Sequence, residues 1–173
     1  GFHFNDRKYA DDDLTLGSID PYAVFRIFDQ IAQFEHDNGL EPGATGESRR
    51  SSAGTIPGVA YMVDQSHNLK PKLEAMVQTV CEAQKLFAKA HAVDRKALAK
   101  AQAAGDITAA ESLLKEAYEA DVTPALEQWR KKTGVPKNPL KELRTSNAIK
   151  DRAKARTQAR EERGEVVGGG GYA

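Results

Sequence analysis

Two short apolar stretches that stop on polar side chains, with one amphipathic helix between them, constrain this chain more than any other feature. The first is Phe2-His3-Phe4, in which two phenylalanines alternate around one imidazole. That period of two describes a short strand carrying a single polar group. It ends at Asn5 and Asp6, and the loop that follows sets Asp11, Asp12 and Asp13 side by side. The second stretch, residues 58–63, is a nearly continuous apolar run, as a strand buried on both faces of a parallel sheet requires. It stops abruptly at Asp64, Gln65, Ser66, His67 and Asn68. Between them Asp20 and Pro21 supply an N-cap and a first-turn proline. Phe25, Phe28, Ile31 and Ala32 then recur at three- and four-residue steps, with Tyr22 and Val24 nearby, while Arg26, Asp29, Gln33 and Glu35 fill the polar remainder. The helix is predicted to stop near Asn38 and Gly39. Strand, helix and strand, with both strands ending in polar groups, describe a βαβ unit with its chemistry at the carboxyl ends, as in (β/α) barrels.

Three adjacent aspartates repel one another unless they are fully solvated or a cation sits against them. In extended backbone Asp11 and Asp13 face one way and Asp12 the other, a spacing that suits a divalent ion. Carboxylates with an imidazole are compatible with manganese, cobalt, zinc or partly hydrated magnesium, and the spacing does not choose among them. A solubilising acidic turn and an ordinary core histidine account for the same residues, and it is the second polar strand end that favours a metal site. Ser66 and Lys8 are candidates for hydrogen bonds to a substrate, or ordinary polar residues at strand ends. His67 could orient a ligand, whereas His36 and His91 lie in charged helical stretches and are expected to be solvated.

The segment from Phe2 to Leu14, followed by Tyr61 to Asn68, resembles the C-terminal part of the bacterial L-rhamnose isomerase family, whose members are (β/α)8 TIM barrels related in architecture to xylose isomerase. The resemblance implies an α/β fold, the last strands and helices of such a barrel followed by an α-helical C-terminal extension. It implies a metal-dependent aldose-ketose isomerase that interconverts L-rhamnose and L-rhamnulose. His3 and Asp64 would hold the structural, substrate-binding ion, and Asp11 and Asp13 the neighbouring catalytic one, with Asp64, Asp11 and Asp13 as the catalytic carboxylates. Two divalent ions are implied, Mn2+ first, with Co2+, Mg2+ or Zn2+ as alternatives, as is a homotetramer. The family's remaining ligands, a glutamate, an aspartate and a histidine from earlier strands, have no counterpart here. Residue types do not separate a hydride shift from proton transfer through an ene-diol. A non-catalytic helical assembly module and another metal-dependent barrel enzyme, such as a sugar epimerase, are the alternatives.

The chain has 173 residues and 25 basic against 25 acidic side chains, so no global field draws it to nucleic acid or an anionic membrane. No signal peptide or membrane-spanning run is visible, and a lone cysteine, Cys81, fits a cytoplasmic protein and reads as an inert thiol in a helix. There is no initiator methionine, and the chain reads as the C-terminal piece of a longer protein, inactive alone. Residues 1–104 are expected to belong to the barrel, 105–165 to a helical extension that touches other subunits, and 166–173 to a flexible glycine-rich tail.

Within that plan, residues 40–57 read as a loop without periodicity, with Arg49 and Arg50 facing solvent or another subunit. Pro71 opens a helix with an apolar face of Leu73, Met76, Val77, Val80, Cys81, Phe87 and Ala88, which thins into an alanine- and lysine-rich run near 95–104. Gly105 and Asp106 break it. A stripe of Ala110, Leu113, Leu114 and Ala117 follows, then a turn at Pro124 with Leu126 and Trp129 as anchors. Beyond a linker at 134–139, residues 140–165 read as one charged helix.

Overall fold

A computed structural model describes residues 2–9, 13–40, 49–51, 54–56, 61–65 and 70–165. In chain order the elements are β1 (Phe2–Phe4), α1 (Pro21–Asp37), β2 (Arg49–Ser51), β3 (Gly54–Ile56), β4 (Tyr61–Val63), α2 (Lys72–His91), α3 (Arg95–Ala103), α4 (Ile107–Glu119), α5 (Thr123–Lys132), α6 (Pro139–Thr145) and α7 (Ala148–Glu162). The described residues are therefore mainly helical, with two small sheets, a mixed α/β arrangement.

Helix α1 starts where its sequence says it should. Asp20 accepts the Ala23 N–H at 2.9 Å, and proline occupies the first turn, where a missing donor costs nothing. The helix ends with Gly39 at φ 60, which lets the Leu40 N–H return to the Glu35 carbonyl at 2.8 Å. β1 and β4 pair in parallel, with Phe2 opposite Tyr61, His3 opposite Met62 and Phe4 opposite Val63. The two strands flank α1 in the chain, as a βαβ unit requires.

Among the described residues, one face of this pair is covered and the other is exposed. Phe4 is buried and stacks on Phe28 of α1 at 5.0 Å and on Tyr61 at 5.8 Å, and Phe87 of α2 meets Phe28 edge-on. Met62, pointing to the opposite face, is 45% exposed, so β4 is not buried on both sides as its apolar run suggested. The core continues through Phe25, Leu86, Ala90 and Leu98 to Leu114 and Ala117 of α4, and Phe25 and Tyr22 both touch Tyr118.

Several side chains sit where periodicity did not place them. Asp29 and Glu35, assigned by pattern to the polar face of α1, are buried. Arg95 explains Asp29: its Nη1 donates to Asp29 Oδ1 at 2.5 Å and to Gln33 Oε1 at 3.3 Å, and its Nη2 donates to the Ala90 carbonyl at 2.7 Å. The guanidinium thereby ties α1 to the end of α2 and the start of α3. His91, expected in solvent, is mostly buried, with its ring 4.4 Å from Phe87 and Nε2 3.2 Å from Glu35 Oε2. Burial, and then the Arg95 charge, hold its pKa below the ordinary value. His36 is exposed, as expected.

The buried line of α2 is Ala75, Thr79, Leu86 and Ala90, while Met76 and Val80 are exposed. Cys81 is half-buried, and burial pushes its thiol up, as suits an inert cysteine. α2 ends at His91, and Asp94 caps a separate helix by accepting the Ala97 N–H at 2.9 Å, a break the alanine-rich sequence concealed. Asp106 caps α4 as its position predicted, accepting the Ala109 N–H at 2.9 Å. In α5 the anchor is Arg130, which is buried, and not Trp129, which is 48% exposed. Arg130 donates to Gln84 Oε1 through Nη2 at 2.8 Å and to the Lys137 carbonyl through Nη1 at 3.0 Å. The charged C-terminal run is two helices, parted at Ser146 and Asn147, where Asn147 takes φ 56. The stretch read as an irregular loop contains the antiparallel pair β2 and β3, Arg49 opposite Ile56.

Candidate active site

The carboxyl ends of β1 and β4 bring two of the proposed ligands together. His3 lies opposite Met62 in the parallel register, and Asp64 is two residues beyond Met62, so all three project from the uncovered face. The pairing continues past the strand, since the Asp64 N–H donates to the Phe4 carbonyl at 3.1 Å. His3 Nδ1 and Asp64 Oδ2 are 3.0 Å apart, with both side chains about 60% exposed (60% and 61%). Two ligands bound at right angles about 2.0–2.2 Å from one ion stand about 3 Å apart, so this nitrogen and oxygen fit adjacent positions on a divalent cation. The contact itself has hydrogen-bond geometry.

The acidic loop is described at its end only. Asp13 has φ 42, in the left-handed region that aspartate tolerates better than most residues. Its Oδ1 accepts from the Asn5 side-chain amide at 2.8 Å. Asp11, Ser66 and His67 lie outside the described residues. Lys8 is exposed, with its ammonium 5.2 Å from the Tyr9 ring centre. Among the described residues no cluster of three or more histidine, cysteine, aspartate or glutamate side chains forms a metal cage.

Behind the strand ends, a second layer escaped sequence reasoning. Thr79, fully buried in α2, receives the Leu16 N–H at 3.3 Å and donates to the Gln65 side-chain oxygen. Lys70 donates to Thr15 Oγ1 at 2.9 Å. One helix therefore holds both the loop leaving β1 and the residue that follows Asp64. A threonine in the middle of an apolar helical face was the available signal, because a hydroxyl there needs a partner. Tyr61 stands beneath the site, and burial, then the Glu35 charge, push its phenol up to about 12, so it stays protonated at neutral pH.

No family model matches the chain. Over 173 residues it is 38% identical to a probable sugar isomerase of Mesorhizobium japonicum and, to the same degree, to a probable sugar isomerase of Rhizobium meliloti. Each match takes in 99% of this chain and 35% of the relative, so the chain spans about a third of the length of these curated relatives. The similarity thus runs through both strand ends and the distal helices alike. No helix among the described residues is long and apolar enough to cross a membrane.

Proposed function

We propose that the protein to which this chain belongs is a metal-dependent aldose-ketose isomerase acting on L-rhamnose, and that the β1–β4 pair is part of the wall of a (β/α)8 barrel. The observation that carries this reading is the 3.0 Å approach of His3 Nδ1 to Asp64 Oδ2 on the uncovered face of a parallel strand pair, 61 residues apart in sequence. Likeness to two probable sugar isomerases supports the reaction class, and the resemblance of the two strand-end blocks supports rhamnose as the sugar. On this reading residues 1–104 complete the barrel, 105–165 form a helical extension at subunit contacts of a homotetramer, and 166–173 are a tail. The enzyme is cytoplasmic.

Divalent ions bound at this site, Mn2+ or Co2+ by preference, would supply a Lewis acid that polarises the sugar's oxygens. His3 would offer a neutral donor, and Asp64 a carboxylate that offsets positive charge. Asp11 and Asp13 would hold the second ion from the loop. Ser66 and Lys8 would hydrogen-bond sugar hydroxyls. The aromatic layer of Phe4, Phe28, Tyr61 and Phe87 fixes the strand register on which these positions depend. Four ligands cannot enclose two ions, so the chain alone is inactive and the activity belongs to the full-length protein.

Chelation tests the proposal. Full-length protein stripped with EDTA is expected to lose L-rhamnose to L-rhamnulose conversion and to regain it with Mn2+ or Co2+. Undiminished turnover in chelator would remove the metal from the account. Metal-restored conversion of another sugar, or formation of an epimer in place of a ketose, would overturn the substrate and reaction assignments.

A further inference from the structure

Helix α1 has a covered side and an open one. Phe28 stacks on Phe4 of β1 and meets Phe87 of α2 edge-on, while Tyr22 and Phe25 reach Tyr118 of α4. Away from these contacts, Ala23, Ile27, Gln30 and Phe34 form an exposed line. Ile27, Gln30 and Phe34, together with the buried Ile31 and with Phe2 of β1, line a groove of about 410 Å3. Its three large apolar side chains, Ile27, Phe34 and Phe2, are 45%, 43% and 39% exposed. Among the described residues that line it, Gln30 alone has a polar side chain, too little to orient a polar small molecule. A contiguous apolar surface of this kind marks a contact with another piece of protein.

The spacing says what fits there. Steps of four, three and four residues from Ala23 to Phe34 keep one line along a helix, and such a line is the seam against which a second helix packs. The position says where that helix comes from. The groove takes its strand residue from β1 and none from β4, whereas α2 packs against both α1 and β4, so the groove lies on the β1 side of the layer. Among the described residues β1 pairs with β4 alone, which leaves its other edge open beside the groove. About two thirds of each curated relative lies outside the region matched by this chain. We propose that the groove seats an amphipathic helix from the part of the full-length protein outside these 173 residues, the helix of a neighbouring βα unit whose strand pairs with the open edge of β1. The inference rests on the barrel reading above. A second copy of the chain would have to bring both a helix and a strand to this corner, whereas a βα unit carries the two together. The seated helix presents apolar residues at three- and four-residue steps and runs parallel to α1, because each helix of such a barrel returns antiparallel to its strand.

The test places a photo-crosslinking p-benzoyl-phenylalanine at Ile27 or at Phe34 of the full-length protein, in samples mixing normal and heavy-isotope chains, and maps the links by mass spectrometry. Both positions are expected to link within their own chain to residues outside these 173. The two attachment points should lie about seven residues apart on one helix and in the same order as 27 and 34, as parallel packing requires. The same spacing in reversed order would keep the helix seat and sink the barrel reading. Links to a partner copy, links within these 173 residues, or no link from either position would overturn the inference. If that happens while EDTA and Mn2+ govern L-rhamnose conversion as expected above, the helix seat alone has failed. Hydroxyl-radical labelling of the unmodified full-length protein gives a check that no bulky probe can disturb. Phe2 and Phe34 should be labelled as slowly as Phe25, which is fully buried, and labelling in keeping with their exposure in this chain would overturn the inference.

Discussion

His3→Ala and Asp64→Ala, introduced separately into the full-length protein, will each reduce isomerase turnover by at least about 100-fold, more than loss of a supporting hydrogen bond alone costs at a metal site. The same variants will unfold in chelator close to wild type. The two expectations follow from one geometry. The contact between these side chains is about 60% exposed at both ends (60% and 61%), and an exposed pair of this kind contributes only about 0–1 kcal/mol to stability. Neither side chain fills the core, which is built on the other face by Phe4, Phe28 and Tyr61. On the proposed reading, two convergent donors that contribute little to folding are there to hold an ion. Initial rates at saturating Mn2+ and melting curves in EDTA check the two halves separately. Normal turnover of either variant would contradict the assignment, and a collapsed melt would recast the pair as structural.

Asp29→Ala will destabilise the protein by about 3–5 kcal/mol, the cost of leaving one partner of a buried ion pair uncompensated. The Asp29 and Arg95 side chains are only 2% and 11% exposed. Arg95 also holds the Gln33 side chain and the Ala90 carbonyl, so removing the carboxylate strands a guanidinium at the junction of α1, α2 and α3. Replacing both members together, Asp29→Leu with Arg95→Met, should recover much of the loss, since a well-packed apolar pair can substitute for a buried ionic one. Denaturant unfolding of the two variants measures this. A loss below about 1 kcal/mol for Asp29→Ala would place the pair among weak surface contacts.

What the sequence disclosed and what it hid divide along the range of the interactions involved. Helix α1 was legible from end to end because its start is a local matter of Asp20 and Pro21 and its stop a local matter of Gly39. The same holds for Asp106 at the start of α4. Asp29, Thr79 and Arg130 were hidden because what makes their burial tolerable lies 66, 63 and 46 residues away, in Arg95, Leu16 and Gln84. A polar residue on a helix looks solvent-bound until its distant partner is known. The β2–β3 pair was hidden for a different reason, since backbone hydrogen bonds hold it in a segment without alternating apolar residues. The meeting of His3 with Asp64 was legible because parallel pairing brings the two strand ends together. The acidic loop was not legible to the same degree: Asn5 gave no sign of its bond to Asp13, and the positions of Asp11 and Ser66 lie outside the described residues.

The most direct test of the central claim is anomalous diffraction from crystals of the full-length protein grown with Mn2+. The account predicts an anomalous peak on the uncovered face of β1 and β4, with a nitrogen of His3 and an oxygen of Asp64 each about 2.0–2.2 Å from it. Fully occupied Mn2+ elsewhere, with these two side chains turned apart and no peak between them, would contradict it.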